Sequence, residues 1–226
     1  MCSGLGPLRT PRKLHPSASL EIGLMPHDPA RILVATSNPG KLHEFQSYLA
    51  NLPFEILGLR CVPEVSPSPE DGDTFEQNAR QKAVYYSRLF PGLTLADDSG
   101  LVVDALGGEP GIYSARYVSS SATDEQRCRA VLMRLRQLAR PGRTARFVCC
   151  LALAREGCVV GTFDGTVEGE IGFEPRGNNG FGYDPIFLLP KLNRTMAELS
   201  AAEKLEVSHR GQALRRMSEY LRSGVR

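Results

Sequence analysis

The chain has 226 residues, 42% hydrophobic and 23% charged, with a formal net charge of +2 at neutral pH. These proportions are ordinary for a folded globular protein, long enough for one large domain or two small lobes. A charge so near zero gives no electrostatic reason to bind nucleic acid or a membrane surface. No apolar run approaches the roughly 20 residues that span a bilayer.

Residues 1–29 are rich in Pro, Ser and Gly and carry no periodic apolar pattern, which predicts a disordered tail ahead of a single domain over 30–226. The tail lacks the apolar core of a secretory signal, and Met25 is an alternative start. RILVATS, from Arg31, reads as a buried strand. Leu42, Phe45, Leu49 and Leu52 then recur at helical spacing, with Ser37 or Asn38 as N-cap and Pro39 near the first helical position. Thr74 to Gln77 has the form of a capping box, opening a helix with Phe75, Ala79, Ala83 and Tyr86 on one face. LTLADDSGLVVDAL is expected to form two short strands broken by an acidic turn. Thr123 to Gln126 boxes a further helix, with Cys128, Leu132 and Leu135 on one side. RFVCCLALA and VVGTFDGTVEGEI read as strands, and EPRGNNGFGYDPIFLLP as a long loop entering a strand. Ser208 caps a last helix whose stripe is Ala213, Leu214, Met217 and Leu221. Interleaved strands and helices predict a mixed α/β sheet flanked by helices. The six cysteines show no metal-ligand spacing and read as reduced core residues of a cytosolic protein.

Five places can carry chemistry. Thr36, Ser37, Asn38, Pro39, Gly40 and Lys41 join a strand to a helix, and a helix N-terminus with a lysine on its first turn suits an anion. It is not GxxxxGK[ST], and taken alone a solvated turn explains it more simply. Asp97 and Asp98 follow an apolar run and precede Ser99. A carboxylate pair there needs solvent, hydrogen bonds or a cation, and hard oxygen ligands beside phosphate suit Mg²⁺, although Asp-Ser-Gly is also good turn chemistry. Glu70, Asp71 and Asp73 crowd a helix start, where the dipole is reason enough. Asn78 and Lys82, four apart, share one face of that helix and reach phosphate only if it faces inward. GNNGFGYD combines close backbone approach with Phe181 or Tyr183, either able to stack on a flat ring. Lys204 and Ser208-His209-Arg210 form a second cationic helix start. Together these features are what a metal–nucleoside triphosphate requires.

TSNPGK, TFEQNARQKA, LADDSGLVVDALGGEPGIYSARY, GNNGFGYDPIF and EKLEVSHRGQAL, in that order over about Arg31 to Leu221, resemble the signature blocks of the inosine/xanthosine triphosphate pyrophosphatase family, the XTP/dITP diphosphatases. The resemblance implies Mg²⁺-dependent hydrolysis of ITP, dITP or XTP to the monophosphate and pyrophosphate by a homodimer. It also implies an elongated mixed α/β protomer with its active site in a cleft between two lobes. By the same resemblance, Asp98 is the proton acceptor and shares the metal with Glu70. Thr36 to Lys41, Asn78 and Lys82 contact the triphosphate. Ser99, Phe181, Gly182, Tyr183, Asp184, Lys204, His209 and Arg210 hold base and sugar-phosphate. Many relatives carry a glutamate where this chain has Gln77, so that carboxylate is lost or moved to Glu76. A pyrophosphatase for modified pyrimidines, an inactive nucleotide sensor and a nucleic-acid module using Arg210, Arg215, Arg216 and Arg222 are the rival expectations. Scatter of those arginines around the helix disfavours the last.

Overall fold

The structure, a computed structural model, describes residues 30–50, 52–64, 66–139 and 142–223. The expected tail over 1–29, with the alternative start at Met25, lies outside the described residues. The chain runs β1 (Ala30–Ala35), α1 (Pro39–Leu49), β2 (Phe54–Gly58), α2 (Phe75–Ser87), β3 (Leu93–Val103), α3 (Asp124–Arg136), β4 (Thr144–Arg155), β5 (Cys158–Ile171), β6 (Phe187–Leu189), β7 (Arg194–Thr195), α4 (Ala201–Val207) and α5 (His209–Arg222). Short 3-10 segments connect several of these, among them Gly111–Arg116. The strands form one mixed sheet in the order β2-β1-β3-β4-β5-β6-β7. β1 is parallel to both neighbours, and each later pair is antiparallel.

The caps follow the local sequence. Asn38 accepts the Lys41 N–H at the start of α1, with Pro39 directly after it. The box at α3 is complete, Thr123 and Gln126 each bonding the other's backbone N–H. The one expected at α2 is half made. Thr74 accepts the Gln77 N–H, but the Gln77 side chain accepts from Asp73 N–H instead. In α5, Ser208 caps and Ala213, Leu214, Met217 and Leu221 are buried.

The sheet is shared by two lobes. On one face of its first half, α1 and α5 enclose a core with Phe45, Leu49, Leu95, Leu151 and Met217. α2 covers the opposite face with Ala79, Ala83 and Tyr86 against Leu33, Ala96 and Ala152. A separate core joins the far halves of β3 and β4 to α3 and β6 through Leu101, Val103, Val131, Leu135, Phe147 and Phe187. Cys149 and Cys150 fall in the cores on opposite faces, as alternation along a strand requires. Cys128 is also buried, whereas Cys61 and Cys158 are exposed, against the expectation that all are core residues. Cys2 lies outside the described residues, and the five described cysteines are free thiols.

One strand differs from its expected form. LTLADDSGLVV is not broken at its acidic pair: β3 is continuous from Leu93 to Val103 and pairs with β4 from Thr94↔Ala154 to Val103↔Ala145. Turn chemistry at Asp-Ser-Gly loses here because both flanks are buried β-formers and both carboxylates find partners inside.

Candidate active site

Because Asp97 and Asp98 are consecutive in a strand, they project to opposite faces of the sheet. On the α1–α5 face the Asp97 side chain has no exposed surface. It pairs with Lys41 of α1, accepts from Arg210 Nε of α5 at 2.9 Å and from Ser99 Oγ at 2.8 Å, and receives the Cys149 thiol at 3.3 Å. Burial alone would raise its pKa, but Arg210 and Lys41 outweigh that and hold it well below the usual carboxylate range. Asp97 is therefore a saturated anion that anchors two cations at the cleft floor. It has no free oxygen facing the cavity.

Asp98 faces α2. Asn78 donates to its Oδ2 at 3.0 Å, and the Asn78 carbonyl accepts the Gly72 N–H at 2.8 Å, so both ends of that amide are engaged. Asn78 is 1% exposed. It is bonded to Asp98 and lines neither cavity described below. Burial pushes the Asp98 pKa up, against the pull of Lys41 and Asn78, to about 6. Adjacent carboxylates in unlike environments thus titrate far apart, the arrangement by which a protein separates a structural anion from a base.

Two cavities that share part of their lining flank this point. The first, about 410 Å³, is lined by Thr36, Ser37, Asn38, Lys41, Glu70, Lys82, Asp98 and Ser99. Lys82 pairs with Glu70 and approaches the Asp97 carbonyl at 3.4 Å, so α2 does turn this lysine inward. Arg116 donates to the Glu70 side chain at 3.4 Å and to its carbonyl at 3.2 Å. Burial would raise the Glu70 pKa, but Lys82, with Lys41 and Arg116, lowers it. Glu76 pairs with Arg80 on the outer surface of α2, so the carboxylate that Gln77 lacks has not moved there.

The second cavity, about 330 Å³, shares Ser37, Asn38, Lys41 and Ser99 with the first and continues to Phe147, Phe181, Gly182, Tyr183, Asp184, Lys204, His209 and Arg210. Lys204 bonds Asp184 at 2.5 Å and Glu44 at 2.9 Å. Arg210 bonds Glu44 at 2.7 Å and Ser99 Oγ at 2.8 Å. The Phe181 ring lies under both cations, 4.5 Å from Lys204 Nζ and 5.5 Å from Arg210 Cζ. Gly40 makes room for that ring, since a Cβ there would lie 2.6 Å from Phe181 Cδ1. Pro39 is exposed at the start of α1 and lines neither cavity.

Two expectations change here. Tyr183 is no free stacking platform. It is 4% exposed, belongs to the α3 core and donates its hydroxyl to the Ser114 carbonyl at 2.9 Å. His209 is not part of a cationic cluster. It stacks on Phe147 with centroids 4.8 Å apart, and burial, helped by Arg210, holds its pKa well below the ordinary value, so the imidazole is neutral. Among the described residues its Nδ1 has no hydrogen-bond partner.

Glu44, Arg116, Asp124, Arg127, Ser114 and Phe147, which no motif in the sequence singles out, also lie within or against these cavities. Glu44 was readable: it follows Lys41 by three on α1 and so shares its face. The others lie in elements whose approach to the cleft depends on the second lobe.

A model of the Ham1 family matches residues 32–220. The chain is 48% identical over 187 residues to a protein of Exiguobacterium sp. named dITP/XTP pyrophosphatase, covering 83% of this chain and 94% of that one. A Bacillus subtilis protein of the same name is 43% identical over 189 residues, covering 84% and 96%. A solved HAM1 protein from Coxiella burnetii superposes with a TM-score of 0.77 at 41% identity, covering 86% of this chain and 100% of that one.

Proposed function

The chain belongs to the Ham1 family, and on that premise we propose that it hydrolyses the non-standard purine nucleoside triphosphates ITP, dITP and XTP to the monophosphate and pyrophosphate, removing them from the pool used for DNA and RNA. The observation that carries this reading is one carboxylate, Asp98, with its pKa raised to about 6, facing a cavity with Lys41, Lys82 and Glu70 that opens into an aromatic and cationic compartment.

The triphosphate lies along Thr36 to Lys41 and Lys82, and the purine lies against Phe181. Water attacks the α-phosphorus, its proton passes to Asp98, and the bond to the β-phosphate oxygen breaks to release pyrophosphate. An ordinary aspartate is a weak base near neutral pH. Asp98, raised to about 6, is stronger and still mostly ionised there. Asn78 holds the carboxylate in one orientation, and Lys41, Lys82 and Arg210 offset the charge that develops on the departing group.

The donor set suits Mg²⁺. Among the described residues no group of three or more His, Cys, Asp or Glu side chains clusters as a metal cage. Mg²⁺ typically takes one or two carboxylates and completes its shell with water and phosphate. Glu70 and Asp98, which line one cavity, are the residues that would hold it. Bound there, it would polarise water and neutralise phosphate charge.

Selectivity for a 6-oxo purine needs a donor where adenine would present its own amine. The Phe181 and Gly182 N–H groups are already committed, to Asp184 at 2.9 Å and to Asp124 at 2.6 Å. Lys204, His209 and the unused N–H groups of Arg210 remain, with Glu44 holding the two cations in place. Among the described residues no helix is long and apolar enough to cross a membrane. Reduced thiols fit a cytoplasmic setting, and exposed Tyr113, Val118 and Phe173 offer apolar surface to a second copy of the chain. Sedimentation equilibrium at twice the protomer mass supports that dimer, and the protomer mass alone removes it.

The deciding experiment is pyrophosphate release from ITP, dITP, XTP, GTP, dTTP and UTP, with Mg²⁺ and with chelator. Release from the first three only, dependent on Mg²⁺, is expected. Preference for dTTP or UTP favours the pyrimidine rival, and binding without release makes the protein a sensor.

A further inference from the structure

We propose that Asp124, the first residue of α3, is the positioning residue that fixes the Phe181–Gly182 segment in the base compartment, and so sets how tightly and how selectively the purine is held. This inference rests on the reading of the cleft as a nucleotide site.

Phe181 is the half-buried ring under Lys204 and Arg210, so the position of its backbone determines the width of the compartment. Gly182, next along, sits at φ 63°, the left-handed region that suits glycine. Both polar groups of this glycine are taken by α3. Asp124 Oδ2 accepts its N–H at 2.6 Å, and its carbonyl accepts the Cys128 thiol at 3.3 Å. The other Asp124 oxygen pairs with Arg127, whose guanidinium also donates to the carbonyls of Ala115 at 3.1 Å and Ala122 at 2.5 Å. On the opposite side, the Phe181 N–H is held by Asp184, which Lys204 in turn holds. The aromatic segment is thus tethered at its two ends, to α3 in one lobe and to α4 and α1 in the other.

An aspartate in the first turn of a helix is favoured by the dipole whatever it touches. Here that reason is insufficient. The start of α3 is already capped by the Thr123–Gln126 box, and while one Asp124 oxygen pairs with Arg127 of the same helix, the other reaches a peptide 58 residues later. The bond is charge-assisted and partly buried, the kind whose loss is felt.

The test compares Asp124→Ala with Asp124→Asn in the full chain. Asparagine keeps an oxygen acceptor for Gly182 while losing the charge. Hydrogen–deuterium exchange is read over Gly177–Asp184 without nucleotide, and kcat and KM are measured for ITP and ATP. In the alanine variant, faster exchange in this segment is expected. KM for ITP should rise about tenfold, the worth of one hydrogen bond to a charged group. The ITP-over-ATP preference in kcat/KM should fall while kcat stays near wild type, and Asp124→Asn should restore most of both. Melting is followed throughout, and Asp124→Ser, too short to reach Gly182, replaces alanine if that variant fails to fold. Wild-type exchange, KM and selectivity in a folded variant without the acceptor overturn the proposal. So does equal damage by asparagine and alanine. If the wild type releases no pyrophosphate from ITP, the functional reading fails by itself, and the exchange measurement still decides the tether.

Discussion

Two neighbouring side chains on one strand are given opposite characters by what they face. Asp97 is buried between Arg210 and Lys41 and remains an anion; Asp98, on the other face, is desolvated with only an amide bonded to it. Asp98→Asn is accordingly expected to lower kcat by roughly 10²–10⁴-fold, the usual contribution of a general base, while nucleotide binding measured by calorimetry weakens less. Full turnover in that variant removes Asp98 from the chemistry. His209 has a separate consequence. Its folded pKa lies well below the unfolded value of 6.5, so above pH 6.5 it is neutral in both states and adds no pH dependence. Below pH 6.5 the unfolded chain takes up a proton that the buried ring resists, and stability falls. Asp98 acts in the opposite sense, because its raised pKa lets the folded state gain a proton first as pH drops through about 6. The diagnostic quantity is therefore the difference in melting temperature between wild type and His209→Gln, in which the other titrations cancel. That difference should move against the wild type between pH 7 and 5, and a constant difference would mean that the imidazole charges freely in the fold.

At the scale of elements, the cleft depends on how closely α5 lies against the sheet. A Cβ on Gly165 of β5 would fall 1.9 Å from the His209 carbonyl oxygen and 2.9 Å from the Ala213 nitrogen, both backbone atoms of α5. No rotamer can relieve that overlap. Gly165→Ala should destabilise by about 3 kcal/mol or more in urea unfolding, at the upper end of overpacking costs. Because His209 and Arg210 begin α5, the same change should raise KM. Much of this layer was readable: the periodic apolar stripes, the Asn38 and Ser208 caps and the Thr123 box follow from residues close in sequence. β3 reads as broken in the sequence because Asp-Asp-Ser-Gly is turn chemistry locally, while the partners that keep it extended, Lys41 and Arg210, lie 56 and 113 residues from Asp97. β2 and α4 escaped notice because one is a five-residue strand and the other a seven-residue helix, too short for a periodic signal.

Across the whole molecule, β3 and β4 run through both lobes, so the cleft forms where two cores meet on shared strands. The family match spans residues 32–220, and the sheet begins at Ala30. A chain beginning at Ala30 should therefore keep the circular dichroism, melting temperature and kcat/KM of the full protein. Loss of any of these would place residues 1–29 within the working domain. What the sequence by itself determined was the class of fold, the family and the identity of most cleft residues, since short blocks in a set order carry them. The tertiary structure alone decided what those residues touch. The Asn78 amide is bonded to Asp98, the Tyr183 ring packs in a core, and the His209 imidazole is buried and neutral. The physical reason is common to all three. Spacing along a chain fixes the face on which a side chain lies, but charge, solvation and hydrogen-bond partners come from elements brought together only by folding.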